Sequence, residues 1–144
     1  MDGSGNRRGA LARLLALAGA ATAAPAVAAT AARGMVVQVT AGESARWNGV
    51  LGNVRNLRAQ AATKAVPITV VAIGPALGML TDDSLAANAV QDAQAAGVLF
   101  VACGNSMQAQ HIDPELLLPG VTRVAAGYAE IHRLQQAGWT YLVP

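Results

Sequence analysis

Runs of aliphatic residues alternate along this chain with stretches whose apolar positions recur every three or four residues. Met35 to Thr40 is rich in β-branched residues and stops before Gly42, which predicts a buried first strand. From Ala45 to Ala62 the period becomes helical. Val50, Val54, Leu57 and Ala61 share one face with Leu51 beside them, while Arg55, Arg58 and Gln60 point outward. Val66 to Ile73 is a largely apolar run without alternation, the pattern of a strand covered by helices on both faces. Thr81 or Asp82 then offers a side-chain oxygen to cap a second helix, and Gly97 is placed to close it. The buried face of that helix is expected to be Leu85, Ala89, Ala93 and Ala96. Val98 to Ala102 predicts a third strand and Val121 to Ala125 a fourth. A helix over Tyr128 to Ala137 then leads to a last edge strand, Trp139 to Val143. Strand and helix alternate throughout, and each parallel strand needs a crossover. The expectation is therefore an α/β domain over residues 34–144, a three-layer α/β/α arrangement with an open, mostly parallel sheet of about five strands.

The first 33 residues follow a different rule. Arg7-Arg8 opens a positive segment, Leu14 to Ala24 is a run of Leu, Ala and Gly, and Pro25 precedes Ala26-Val27-Ala28, whose small residues suit a signal peptidase. The pattern resembles a twin-arginine export signal, cleaved near Ala28, which implies a periplasmic protein. Asn6 and Ala10 depart from that motif, and Leu11 fits it. The other reading is an Ala-rich extension from a misassigned start, which leaves the protein cytoplasmic. The apolar run is too short for a stable membrane span, which needs about 20 residues.

Charge follows the same division. Four arginines against one aspartate make the first 33 residues positive, while six basic residues oppose seven acidic ones in the remainder. A nearly neutral domain with five aromatics and no basic stripe offers nothing to nucleic acid. The one cysteine, Cys103, excludes an internal disulfide. No metal-ligand spacing is present, no cofactor fingerprint occurs, and no Ser-His-Asp order stands out.

In an open parallel sheet the crevice lies outside the carboxyl ends of the strands, so chemistry is expected in the loops there. Cys103-Gly104-Asn105-Ser106-Met107 is the most informative of them. The preceding strand delivers the thiol to the rim, and a helix starting at once would present unpaired amides that favour thiolate. The competing reading is a small buried hydrophobe. Gly74 and Pro75 open a second loop that could offer amides to an anion or form a rigid turn. It has neither the Rossmann nor the P-loop spacing, which weakens a nucleotide-binding reading. His111, eight residues after Cys103, could assist the thiol or stand solvated on the surface. His132, Glu130 and Arg133 read as the polar side of the last helix.

Asn53 to Leu57, Val70 to Pro75, Val101 to Met107, and Leu117 to Val121 followed by Gly127 and Leu134-Gln135 together resemble the DsrE/DsrF-like group, which includes sulfur-relay proteins. Cys103-Gly104-Asn105 and Leu118-Pro119-Gly120 are the most specific segments, and the resemblance runs from about Met35 to the C-terminus. It implies a three-layer α/β fold that assembles as a trimer or hexamer, with a cysteine that carries sulfur as a persulfide between donor and acceptor thiols. Here only Cys103 can take that role, with Gly74, Pro75, Gly104 and Asn105 around it. The chain departs from the group at Ile73, where relatives often have a polar residue, commonly histidine.

Overall fold

Three of the apolar runs become long strands because their β-branched residues fill both faces of a covered sheet. They are β1 (Met35–Val39), β2 (Ile68–Ala72) and β3 (Val98–Cys103). Short strands β4 (Thr122–Val124) and β5 (Thr140–Leu142) flank them in a computed structural model that describes residues 33–144. The order is β4-β3-β2-β1-β5, and every pairing is parallel. Val37 lies opposite Val70 and Leu142, Val70 opposite Phe100, and Cys103 opposite Val124. The expected export leader falls outside the described residues but for Arg33.

Because side chains alternate along a strand, this register sorts the core into two unequal layers. One face carries Val37, Val39, Ile68, Val70, Ala72, Val98, Phe100 and Ala102. It is covered by α1 (Ser44–Ala59), through Trp47, Val50, Leu51 and Val54, and by α2 (Ala87–Ala95), through Val90. The other face carries Val36, Val71, Ile73, Val101 and Cys103, and the helix covering it is α4 (Gly127–Gln136), through Ile131 and Leu134. The chain steps from β1 to β4 in one direction and then returns to the far edge for β5. Helix α4 therefore has to cross the whole second face. It starts over the carboxyl ends of β2 and β3, and its exit brings Trp139 onto Gly34, where a Cβ would stand 2.5 Å from the indole ring.

The second helix differs from expectation. It begins at Ala87 rather than after Thr81 or Asp82, and no side chain caps it. The backbone before it is already committed: Thr81 bridges Leu117, the Asp82 N–H donates to the Leu116 carbonyl at 2.9 Å, and the Leu118 N–H donates to the Leu80 carbonyl at 2.8 Å. Thr81 spends its hydroxyl on Asp83 instead, donating to Oδ1 at 2.7 Å. As a result Leu85, placed on the buried face by periodicity, is 88 % exposed, and Ala86 and Val90 are buried in its stead. Ala96 is exposed as well.

Arg58 closes the end of α1. Its guanidinium donates to the carbonyls of Lys64 (3.0 Å), Val66 (2.8 Å) and Gly97 (2.9 Å), tying the approach to β2 to the approach to β3. Among the described residues no helix is long and apolar enough to cross a membrane.

Candidate functional site

Cys103 is the last residue of β3, and the chain reverses there into α3 (Gly104–Ala109). The reversal needs glycine, because a Cβ at residue 104 would stand 2.8 Å from the Val124 carbonyl oxygen and 3.2 Å from that of Ala125. Without one, α3 starts against the exit of β4, and the Asn105 N–H donates to the Ala125 carbonyl at 3.0 Å. A second close approach comes from above. Gly127, first residue of α4, lies so near the sheet that a Cβ would be 2.7 Å from Ile73 Cγ1 and 3.2 Å from Cys103 Cβ. The Gly127 N–H, one of the amides a helix leaves unpaired at its start, donates to Cys103 Sγ at 3.2 Å.

The sulfur thus lies where two helices begin, and their unpaired amides favour negative charge there. Burial pushes the Cys103 thiol up, while the Ser106 hydroxyl and the amides of Gly127, Ser106 and Asn105 pull it down. The donors win, and the thiol lies below its ordinary value. Gly127 supplies the aligned hydrogen bond of the set. The Asn105 N–H, already given to Ala125, acts on the sulfur less directly. Ser106 is itself held, since its Oγ accepts the Gly74 N–H at 2.9 Å. The Gly74 carbonyl in turn accepts Gln110 Nε2 at 2.8 Å. Gly74 adopts a left-handed φ of 60° and opens a 3₁₀ turn, Gly74–Met79, that sends Ala76, Leu77 and Met79 into the larger core.

The sulfur's surroundings are otherwise apolar. Cys103 is 4 % exposed and packs with Val36, Val71, Ile73, Val101, Ile131 and Leu134. A cavity of about 530 Å³ borders Gly104, Asn105, Arg123 and Ala125 on the outer side of the β3–α3 turn. A groove of about 620 Å³ runs past Trp47, Pro75, Asp82, Leu85, His111 and Leu116. Cys103 lines neither of them.

The sequence profile of the DsrE/DsrF-like family matches residues 4–144. The chain belongs to the DsrE/DsrF-like family. A structure of a protein of unknown function from Methanobacterium thermoautotrophicum is 34 % identical. It covers 78 % of this chain and 99 % of its own, with a TM-score of 0.73. The ychN protein of E. coli (14 % identity, 78 % and 99 % covered, TM-score 0.65) shares the fold. So does a conserved protein of unknown function from Bacteroides thetaiotaomicron (16 %, 81 % and 99 %, TM-score 0.63). No curated protein gives a significant match.

In this DsrE/DsrF-like chain the residues singled out by sequence divide into two groups. Gly74, Gly104 and Asn105 converge on the turn that holds Cys103, though the Gly74 amide is directed at Ser106. Pro75 and His111 instead line the groove, both exposed, and His111 is not among the groups acting on the thiol. It sits at φ 55°, where the backbone turns at the end of α3. Sequence reasoning passed over two residues, Gly127, whose N–H donates to the sulfur, and Ser106, which helps to pull the thiol down. Ser106 lies within the Cys-Gly-Asn-Ser-Met segment, and a serine three residues after an N-cap position is a signal that could have found it. Gly127 has no such local signal. Among the described residues no group of three or more His, Cys, Asp or Glu side chains could hold a metal ion.

Proposed function

We propose that this DsrE/DsrF-like protein carries sulfane sulfur on Cys103. The Cys103 thiolate attacks the outer sulfur of a persulfide RSSH, a new S–S bond forms as the old one breaks, and RS⁻ leaves. The sulfur stays on the protein as Cys103–SSH until an acceptor thiolate takes it by the same exchange, with no net oxidation or reduction. The observation that carries this reading is the Gly127 N–H aimed at Sγ, which stabilises an anionic sulfur in an otherwise apolar site. Its test is the intact mass of the whole chain after incubation with a persulfide or polysulfide donor. Wild type is expected to gain one sulfur atom and Cys103→Ser none; no gain in wild type, or an equal gain in the two, would end the proposal.

A second reading has its own support. With Cys103 4 % exposed and lining neither neighbouring cavity, the chain could be an oligomeric binding module whose thiol never reacts. Labelling by a thiol reagent in the folded state separates the two. The export reading of Arg7-Arg8 and Ala26-Val27-Ala28 belongs to the same proposal, with a periplasmic location. So does assembly as a trimer or hexamer, which the exposed Tyr128 on α4 and Tyr141 on β5, joined through Gln38, would serve.

A further inference from the structure

We propose that residues 11–24 of this chain, for as long as they remain attached, pack as a helix into a trough between α1 and β5. No reaction at Cys103 is involved.

Two cavities, of about 240 Å³ and about 210 Å³, lie end to end along α1. Both are lined by Val50, Asn53 and Val143, so they form one trough. Val39 in the first cavity, and Val37 and Leu142 in the second, make its floor the margin of the larger core. Val143 at its edge is 64 % exposed. The wall that α1 contributes contains Gly49, well inside the helix, where glycine loses more backbone freedom on folding than any other residue. No atom of the described residues comes within 4 Å of where its Cβ would be, so their packing does not explain the glycine. A second helix crossing close to α1 at that point would.

The place where the chain enters the domain says what fills the trough. The Thr140 N–H donates to the Gly34 carbonyl at 2.9 Å, and Arg33 Nε lies 3.3 Å from where a Cβ on Gly138 would be. The preceding segment therefore joins the domain beside β5, the strand that borders the trough. In that segment Leu11, Leu14, Leu15 and Ala18 recur at the spacing of one helix face, with Arg13 on the opposite one, and Pro25 marks where such a helix ends. Residues 25–33 reach up to about 30 Å when extended, at about 3.3 Å per residue. The trough follows α1 from Ala45 to Leu57, about 18 Å at the helical rise of about 1.5 Å per residue, so the tether serves either end of it.

An isolated helix of this length is marginal in water and needs a surface to pack on. A short tether holds the segment near this surface at an effective concentration of about millimolar, an advantage that a second copy of the chain lacks. Cleavage near Ala28, which the export reading calls for, would remove the occupant and bare the strip.

The test is hydrogen exchange read by mass spectrometry on the full chain, made by cell-free synthesis so that the segment stays attached, with a synthetic peptide of residues 1–33 as the unprotected reference. Amides of residues 12–24 are expected to exchange at least about tenfold more slowly in the chain than in the peptide. Leu14→Asp combined with Leu15→Asp should abolish that protection, and Arg13→Gln should leave it intact. Gly49→Leu, which fills the trough, and Val143→Asp, which puts a charge in it, should also abolish it while β2 and β3 keep wild-type protection. Exchange at the peptide's rate in wild type, or protection that survives both trough variants, overturns the inference. So does protection that fades on dilution, since the segment would then be seated on another copy.

Discussion

Gly127 touches Ile73 so closely that a methyl group on residue 127 would stand 2.7 Å from Ile73 Cγ1 and 2.9 Å from Cδ1. The start of α4 can therefore settle on the ends of β2 and β3 only where it has no side chain. That contact sets both the height of the Gly127 N–H above Cys103 and the seal over the sulfur.

Gly127→Ala is expected to lose about 1–3 kcal/mol, because the overpacked helix start must lift. Lifting also misaligns the 3.2 Å bond from the Gly127 N–H to Sγ. Urea unfolding should show the stability loss, and titration of the thiolate should show ionisation at higher pH. Normal ionisation in a destabilised variant would mean that Gly127 serves packing alone.

Reagent size should control access to Cys103. A bulky aromatic disulfide is expected to label the folded protein far more slowly than the unfolded chain, and a small methylthiosulfonate to be less impeded. Ile73→Ala removes part of the seal, so it should speed labelling by the bulky reagent while costing about 2 kcal/mol or more. Labelling rates equal to wild type would move the entry route away from Ile73.

The depressed thiol makes stability depend on pH with a definite sign. Its folded-state value lies below the ordinary 9.0, so the unfolded chain binds more protons between the two values and stability rises with pH across that window. The contribution is complete above the unfolded value and is lost as pH falls through the folded one. Under reducing conditions, the stability of wild type minus that of Cys103→Ala should grow through mildly alkaline pH and then level off. A flat difference would show that the folded thiol ionises no more readily than the unfolded one.

Arg58→Ala is expected to cost about 1–3 kcal/mol, since it leaves the carbonyls of Lys64, Val66 and Gly97 without their shared donor. Arg58 lies at the end of α1, away from Cys103, so denaturant midpoints should fall while the thiol titration stays put. A shifted titration would indicate that the sheet transmits strain between the two ends.

His111→Gly should stabilise the protein by about 0.5 kcal/mol. Relief of the left-handed backbone at φ 55° is partly offset by the freer unfolded chain. Because His111 lines the groove with Pro75 and not the sulfur, thiol ionisation should match wild type. A lower reactivity in this variant would restore the histidine as an assisting base.

Most of the architecture was legible because parallel strands buried on both sides leave unbroken apolar runs. Val66 to Ile73 and Val98 to Ala102 could be read as β2 and β3 with errors of one or two residues at their ends. Cys103 could be placed at a strand end for the same reason. What could not be read depends on groups far apart in sequence. Thr81 looks like a cap, yet its backbone is taken by Leu117, 36 residues later, and that contact delays α2 and turns Leu85 outward. The Gly127 amide reaches the sulfur only because β5 lies on the opposite edge from β4, which draws α4 across the sheet, and strand order leaves no trace in local periodicity.

The single crossing made by α4 also sets the order of events at the ribosome. Until residues 127–144 have emerged, the nascent chain can assemble β1 to β4 and α1 to α3, but Val36, Val71, Val101 and the thiol lack the helix that covers them. Shelter for the cysteine thus comes from α4, an element encoded after every strand that the sulfur packs against.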